Sequence, residues 1–268
     1  MKKQKIYNPD HSKLRHDQMT MVEILDYFAE ICRQNDITWW MSSGSLLGTA
    51  RHEGFIPWDD DIDVVMLKKD YLRLEKILSS LDDDKYFFQS VRTDIEYINI
   101  FGKLRMREGY IDTKDRRKDY YKCKGLGIDI FAIEKTGYVA AFLAKFLYHS
   151  IQYPTSYIKV KWIRRPLIRF VEFLHFYLLF PILKIVGLVN PKGEYRYILG
   201  TGWPKHSFLM KDTFPLTTGM FEGRRVPVPK DTDAYLTRVF GDWKAIPSEE
   251  EIRKAIHCME YRKEIFGD

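Results

Sequence analysis

Residues 42 to 63 concentrate the side chains best suited to chemistry. They include Ser42-Ser43-Gly44-Ser45-Leu46-Leu47-Gly48-Thr49-Ala50-Arg51 and, after a short interval, Pro57-Trp58-Asp59-Asp60-Asp61-Ile62-Asp63-Val64. On an extended strand, side chains two apart share a face, so Asp59, Asp61 and Asp63 are expected to point the same way. Two carboxylates about 5 Å apart in a partly buried site repel by roughly 3 kcal/mol at an effective dielectric of about 20. A compensating cation is needed, and the hard divalent ions Mg²⁺ or Mn²⁺ suit carboxylate and phosphate oxygens alike. Gly44-Ser45, read as a turn, lets the backbone approach a phosphate and offers it N–H and hydroxyl donors.

Other readings of the acids stay open on spacing alone. An exposed acidic turn carries its charges at almost no cost. An EF-hand loop also places acids at its first, third and fifth positions, but Val64 stands where glycine is needed and Asp70 where the closing glutamate belongs. A sugar-nucleotide glycosyltransferase holds a metal diphosphate with an Asp-x-Asp pair, yet gives Gly44-Ser45 no role.

The elements that must position these residues follow from periodicity. Asp17 to Asn35 repeats apolar residues at helical spacing, with Asp17 or Thr20 as cap. Ile37 to Met41 reads as a strand entering the glycine turn, and Asp61 to Met66 as a second strand. A helix over Lys69 to Leu81 follows, then strands at Tyr86 to Val91, Tyr97 to Leu104 and Ile128 to Ile133. Arg105 to Gly125, with Arg116, Arg117, Lys118, Lys122 and Lys124, reads as a loop. A Gly- and Pro-rich stretch from Asn190 to Pro229 is expected to wrap the sheet, and helices over Thr232 to Phe240 and Ser248 to Phe266 close the chain. This order gives an α+β fold with a mixed central sheet.

Around the acids, Arg51 lies just beyond the glycine turn, and Lys103 and Arg105 alternate on one strand face as phosphate contacts or ordinary surface cations. Trp39, Trp40, Phe55 and Trp58 flank the motif and are either core residues or part of an aromatic cage for a quaternary ammonium. His52 is a further nucleotide-contact candidate, and the seven histidines form no metal-binding spacing.

Gly-Ser ahead of Asp-hydrophobic-Asp-hydrophobic is similar to the pattern of the DNA polymerase β-like nucleotidyltransferase fold. The run from Gly44-Ser45-Leu46-Leu47-Gly48 to Pro57-Trp58-Asp59-Asp60-Asp61-Ile62-Asp63 closely resembles the LicD family, relatives of fukutin. Gly127-Ile128-Asp129-Ile130-Phe131, Phe221-Glu222-Gly223, Tyr235-Leu236 and Phe240-Gly241-Asp242-Trp243 extend the likeness. It covers about residues 17–135 and 205–250, while 138–200 carries no recognisable motif. The 15 residues between Ser45 and Asp61 exceed the usual nucleotidyltransferase gap but are ordinary for this family.

The resemblance implies metal-dependent transfer of a phospho-alcohol, typically phosphocholine from CDP-choline, to a hydroxyl of a cell-surface glycan or its lipid-linked precursor. Phosphoethanolamine, glycerol phosphate and ribitol phosphate are alternative groups, and a non-catalytic membrane adaptor is the rival from another class. Retention of Gly44, Ser45, Asp61, Asp63 and Asp129 together argues against the adaptor. In the implied site, Asp61 and Asp63 hold the metal and Asp129, from a neighbouring strand, completes the carboxylate set and takes the acceptor proton. Asp59 is a further ligand, and Gly44, Ser45, Arg51, Trp58, Lys103 and Arg105 contact substrate.

The remaining composition bounds the setting. With 268 residues, 45% hydrophobic and 30% charged, the chain is a folded domain rather than a disordered or fibrous one. Cys32, Cys123 and Cys258 share no paired spacing, which fits a reducing compartment. The basic N-terminus lacks the apolar run of a secretory signal, so a cytoplasmic location is expected. From Tyr138 to Asn190, seven cations (Lys145, Lys159, Lys161, Arg164, Arg165, Arg169, Lys184) face one acid, Glu172, which accounts for the whole net charge of +6.

The same stretch is rich in aromatic and aliphatic residues, and the longest uncharged run in its dense part, Phe173 to Leu183, makes a helix of about 16 Å against a bilayer core of about 30 Å. A basic, apolar helical insertion lying on an anionic inner leaflet is therefore expected rather than a span, with a core helical hairpin as the alternative. Nucleic acid is the least suited partner, because the cations are interleaved with aliphatic bulk. The expected organisation is a catalytic core at 1–137, the insertion at 138–200, and a segment at 201–268 that completes the catalytic domain.

Overall fold

The computed structural model describes residues 7–110, 119–256 and 258–267. Arg116, Arg117 and Lys118 of the expected basic loop lie outside them. Helix α1 (Lys13–Gln34) begins ahead of Asp17 because Ser12 caps it, its hydroxyl accepting from the Arg15 N–H. Met21, Val22, Leu25, Phe28 and Cys32 form its buried stripe, which packs toward the sheet.

The sheet is built from β1 (Trp39–Met41), β2 (Asp63–Leu67), β3 (Tyr86–Gln89), β4 (Gly102–Met106) and β5 (Gly127–Lys135), in the spatial order β1-β2-β5-β4-β3. Only β2 and β5 run parallel among these pairs; the others are antiparallel, as is the pairing of β6 (Tyr195–Tyr197) with β5. Ile128 to Ile133 of β5 are all buried, as befits a central strand covered on both faces. Helix α2 (Ser43–His52) connects β1 to the loop before β2, and α3 (Lys68–Ser80) leaves β2 directly.

Several expectations are corrected here. Gly44-Ser45 is not a turn but the first turn of α2. The strand expected from Asp61 begins at Asp63, so Asp59, Asp60 and Asp61 sit in an irregular segment and do not alternate on a strand face. Tyr97 to Leu104 is strand only from Gly102. Tyr97 and Ile98 are fully buried because the chain passes beneath a helix, and Tyr148 there donates its hydroxyl to the Ile98 carbonyl at 2.7 Å. Their apolar character therefore reports burial rather than pairing.

Residues 138–187 are helical, as expected: α4 (Tyr138–Ser156), α5 (Lys161–Phe173), a π-helical stretch (Leu174–Leu179) and α6 (Phe180–Gly187). Ala140, Ala144 and Tyr148 of α4 meet Phe180 and Leu183 of α6 in a small second core with Ile100 and Leu199. Arg164 forms a two-pronged ion pair with Glu96 at 2.8 and 3.0 Å, and Arg165 reaches the same carboxylate at 2.8 Å. Arg169 pairs with Glu172. Three of the seven cations are thus tied to acids of the protein, so only part of the segment's positive charge is open to an anionic surface.

Lys161–Gly187 forms one continuous run of 27 residues that is long and apolar enough, by length and composition, to cross a membrane. The shorter run read from charge alone is bounded by Glu172 and Lys184, both of which the helical stretch passes through, and Pro181 does not end it because it sits in the first turn of α6, where proline is tolerated. After a short helix α7 (Met210–Thr213), the hairpin β7 (Thr217–Phe221) and β8 (Arg224–Val228) leans on β1 and α2, as does α8 (Thr232–Phe240) on α2. The single closing helix expected over Ser248 to Phe266 is two, α9 (Glu249–Ala255) and α10 (Met259–Phe266).

Candidate active site

The parallel pairing of β2 with β5 sets Asp63 beside Asp129, and the antiparallel pairing of β4 with β5 sets Lys103 opposite Asp129. Three adjacent strands thereby present an acid, an acid and a lysine in one row. The Lys103 ammonium donates to Asp129 Oδ1. These residues line a cleft of about 590 Å³ whose described wall carries five aspartates (Asp59, Asp60, Asp61, Asp63, Asp129) against Lys103, Arg105 and Lys124.

Carboxylate crowding is most severe in the loop before β2. Oxygens of Asp59, Asp60 and Asp61 lie within 4.8 Å of one another. Burial and the neighbouring charges of Asp61 and Asp60 push the Asp59 carboxyl well above the ordinary range. For Asp63 the same causes act, burial first and then Asp61, Asp129 and Asp59, with Lys103 opposing them. Asp59 Oδ2 is buried without a hydrogen-bond partner. An all-oxygen donor set with an unpartnered carboxylate oxygen and mutual repulsion fits a hard divalent cation.

Gly44 explains its own residue type. A Cβ there would meet Asp59 Oδ2 at 2.6 Å, so any larger residue would push the acid away. Ser43, with φ of 47°, adopts a left-handed conformation that is costly for a side-chain-bearing residue. It and Gly44 line the cleft at the start of α2, where unpaired N–H groups and the helix dipole favour an anion.

Ser45 departs from expectation. It is buried, and its hydroxyl accepts the Asp63 N–H at 2.8 Å, so it holds the start of β2 rather than reaching substrate. Arg105 lines the cleft, but its guanidinium is engaged by Gln89 Oε1 and the Gly125 carbonyl, both at 2.7 Å. Arg51 turns toward the Ala245 carbonyl at 3.2 Å, and neither it nor His52 lines the cleft. Trp58 does line it, with its ring edge-on to Tyr7, whereas Trp39, Trp40 and Phe55 are core residues.

Much of the site is assembled by residues that the sequence reading passed over. Gln18 donates to the Asp59 carbonyl at 2.9 Å, and the Cys258 N–H donates to Asp60 Oδ2 at 2.9 Å. Glu222 accepts from both terminal nitrogens of Arg15 at 3.0 and 2.6 Å and from the Phe55 N–H at 3.1 Å, bracing the loop that leads to the acids. Burial raises the Glu222 carboxyl, but Arg15 and the Phe55 N–H outweigh it and hold it below its usual value. The Phe221-Glu222-Gly223 motif carried a signal for Glu222, and the acidic run one for Asp60; Gln18 and Cys258 carried none. Tyr110, Tyr121, Phe131, Tyr197 and Trp203 supply an aromatic wall scattered too widely in the chain to be grouped beforehand.

Acids in register on adjacent strands, an acidic loop and a helix N-terminus opening into one cleft define an enzyme that transfers phosphorylated groups. Residues 36–181 match the family described as LicD/FKTN/FKRP, nucleotidyltransferase domain, and the chain belongs to that family. The match runs well into the helical segment that shows no recognisable motif by eye. The lipopolysaccharide cholinephosphotransferase LicD of Haemophilus influenzae is 28% identical over 271 residues, 92% of this chain and 97% of that protein. Uncharacterized proteins of Rickettsia prowazekii and Rickettsia typhi are 34% and 35% identical over 68 and 60 residues, 25% and 22% of this chain and 26% and 19% of theirs.

Proposed function

We propose that this enzyme transfers phosphocholine from CDP-choline to a hydroxyl of a lipopolysaccharide-type glycan or its lipid-linked precursor, with Mg²⁺ or Mn²⁺ as cofactor. The observation that carries the reading is the row Asp63, Asp129 and Lys103 across three strands, facing the acid-crowded loop. The full-length likeness to a cholinephosphotransferase supports the transferred group and the acceptor class. Gly44 at a helix start after β1, Asp63 on the next strand and Asp129 on its parallel neighbour support a polymerase β-like nucleotidyltransferase arrangement.

Asp59, Asp61, Asp63 and Asp129 are the residues to hold the cation, and Asp60, whose Oδ2 accepts the Cys258 N–H, lies beside them. A divalent cation held by these carboxylates would offset their charge and would supply polarisation of the attacked phosphoryl group. The N–H groups at the start of α2 and the Lys103 ammonium orient the donor diphosphate. Trp58, Tyr110, Tyr121 and Tyr197 face the trimethylammonium with their ring systems, an environment that favours a quaternary ammonium over a polyol. The acceptor oxygen bonds to the phosphocholine phosphorus as the bond to CMP breaks, and Asp129, across from Lys103 in the strand register, is the carboxylate placed to receive the hydroxyl proton.

The helical layer supports a place on the inner membrane face. Phe146, Trp162, Phe170, Ile185, Leu188 and Val189 are exposed along it, and Lys159, Lys161 and Lys184 stand exposed among them, a pairing suited to anionic lipid. Titration calorimetry with CDP-choline, CDP-ethanolamine and CDP-ribitol, with and without Mg²⁺, tests the reading. Mg²⁺-dependent binding of CDP-choline alone is expected. Preference for CDP-ribitol would reassign the transferred group, and binding of none would remove the donor class. Flotation with anionic liposomes tests the location, and absence from the lipid fraction would return the helices to an internal role.

A further inference from the structure

A second cavity of about 450 Å³ lies against the outer side of α4, between Tyr138, Phe142, Lys145 and Phe146 and the segment from Trp203 to His206. Trp203 and His206 also line the catalytic cleft, so the two spaces share a wall. The floor is aromatic, with Phe142 and Phe146 46% and 59% exposed. The described lining carries two lysines, Lys145 and Lys205, and no acid.

Its far wall is built rather than incidental. Arg196 donates to the carbonyls of Pro204, Lys205 and His206 at 2.8, 3.2 and 3.2 Å, and its guanidinium lies 5.6 Å from the Tyr138 ring at the start of α4. A single buried cation thus ties both sides of the groove together. Trp203 holds a left-handed backbone, with φ of 53°, and sets its ring edge-on to Phe131, which also lines the cleft. A side-chain-bearing residue in that conformation is retained where the surroundings over-determine it.

Apolar surface, two lysines without an opposing acid, and continuity with the reacting centre fit one kind of occupant: an amphiphile with an anionic group near its lipid end. We infer that this groove is the acceptor subsite, holding the phosphate-bearing, lipid-proximal part of a lipid-linked glycan while its sugar enters the cleft past Trp203 and His206. The inference rests on the proposed acceptor class. Lys145 and Lys205 meet the phosphate, Phe142 and Phe146 meet the lipid stem, and acceptor choice is set there, apart from the donor-binding acids.

The probe is dodecyl phosphate below its critical micelle concentration, titrated calorimetrically into the full chain beside dodecyl maltoside and inorganic phosphate. One saturable site is expected, at least about tenfold tighter for dodecyl phosphate than for either control. Lys145→Glu and Phe146→Asp, each at an unchanged unfolding midpoint, are expected to weaken it at least about tenfold, and Arg196→Lys to weaken it without a change in groove charge. Equal affinity for dodecyl maltoside, unsaturable uptake, or unaltered affinity in both groove variants would overturn the assignment. Binding is read without turnover, so failure of CDP-choline to bind removes the donor reading and leaves this measurement standing on its own.

Discussion

The cleft and the helical layer handle charge in opposite ways. In the layer, the buried Arg164 is matched by Glu96 with two short hydrogen bonds, while large apolar side chains such as Trp162 and Leu188 face outward, 77% and 81% exposed. In the cleft, five aspartates crowd together with fewer cations than acids. The layer pairs its buried arginine and leaves hydrophobic surface wet; the cleft leaves its acids in conflict. Each residual cost names a different partner: a lipid or amphiphile for the first, a cation with phosphate for the second.

Substitutions can break this contrast. The largest effect is expected from Asp63→Asn and Asp129→Asn, which lower turnover at least about a thousandfold, on the order of 4 kcal/mol of barrier. Relief of repulsion should at the same time raise the thermal midpoint of Asp63→Asn, so a paired activity and melting assay separates function from folding. Near wild-type turnover in either variant would remove that residue from the site. Glu96→Gln strands Arg164 and is expected to cost about 3 kcal/mol in urea unfolding, as for one partner removed from a buried pair. A value near zero would mean that the layer's ion pair is solvated in solution.

Glu172 sharpens the comparison through pH. Burial pushes its carboxyl from 4.5 up to about 7, outweighing Arg169, whose guanidinium lies 2.8 Å away. Because the value is raised on folding, the folded state binds the proton more tightly. This contribution is complete below about 4.5 and is lost as pH rises through about 7. The loss amounts to up to about 3 kcal/mol, and Glu172→Gln should flatten it in unfolding curves taken from pH 5 to pH 8, a range chosen about that transition. Ser45→Ala is the smallest change, expected to cost about 1 kcal/mol by leaving the Asp63 N–H unpaired. A loss confined to donor affinity, with stability unmoved, would restore Ser45 as a phosphate contact.

Helical periodicity and apolar runs made α1, α3, β2, β5 and α8 legible from the chain, because their burial is dictated by residues three, four or two apart. Asp63 was legible from its spacing in the acidic run and Asp129 from the family resemblance, and the parallel register of β2 and β5 sets the two side by side. Ser45 was not, since a hydroxyl aimed at substrate and one aimed at a backbone N–H occupy the same motif. The Tyr97 region misled because a segment buried under α4 is as apolar as a strand, and Arg51 because proximity in sequence to Gly48 does not place it in the cleft. Gln18, Arg15 and Cys258 lay beyond reach: their roles depend on contacts 41, 207 and 198 residues away along the chain.

Those long contacts have a temporal side. Glu222 must be present before Arg15 and the Phe55 N–H can be joined, and Cys258 must follow before Asp60 gains its backbone donor. During synthesis the acidic loop is therefore made well before the segments that brace it. A chain extended only through β2 carries the acids of the loop without the Glu222 carboxylate and the Cys258 N–H that hold them in place.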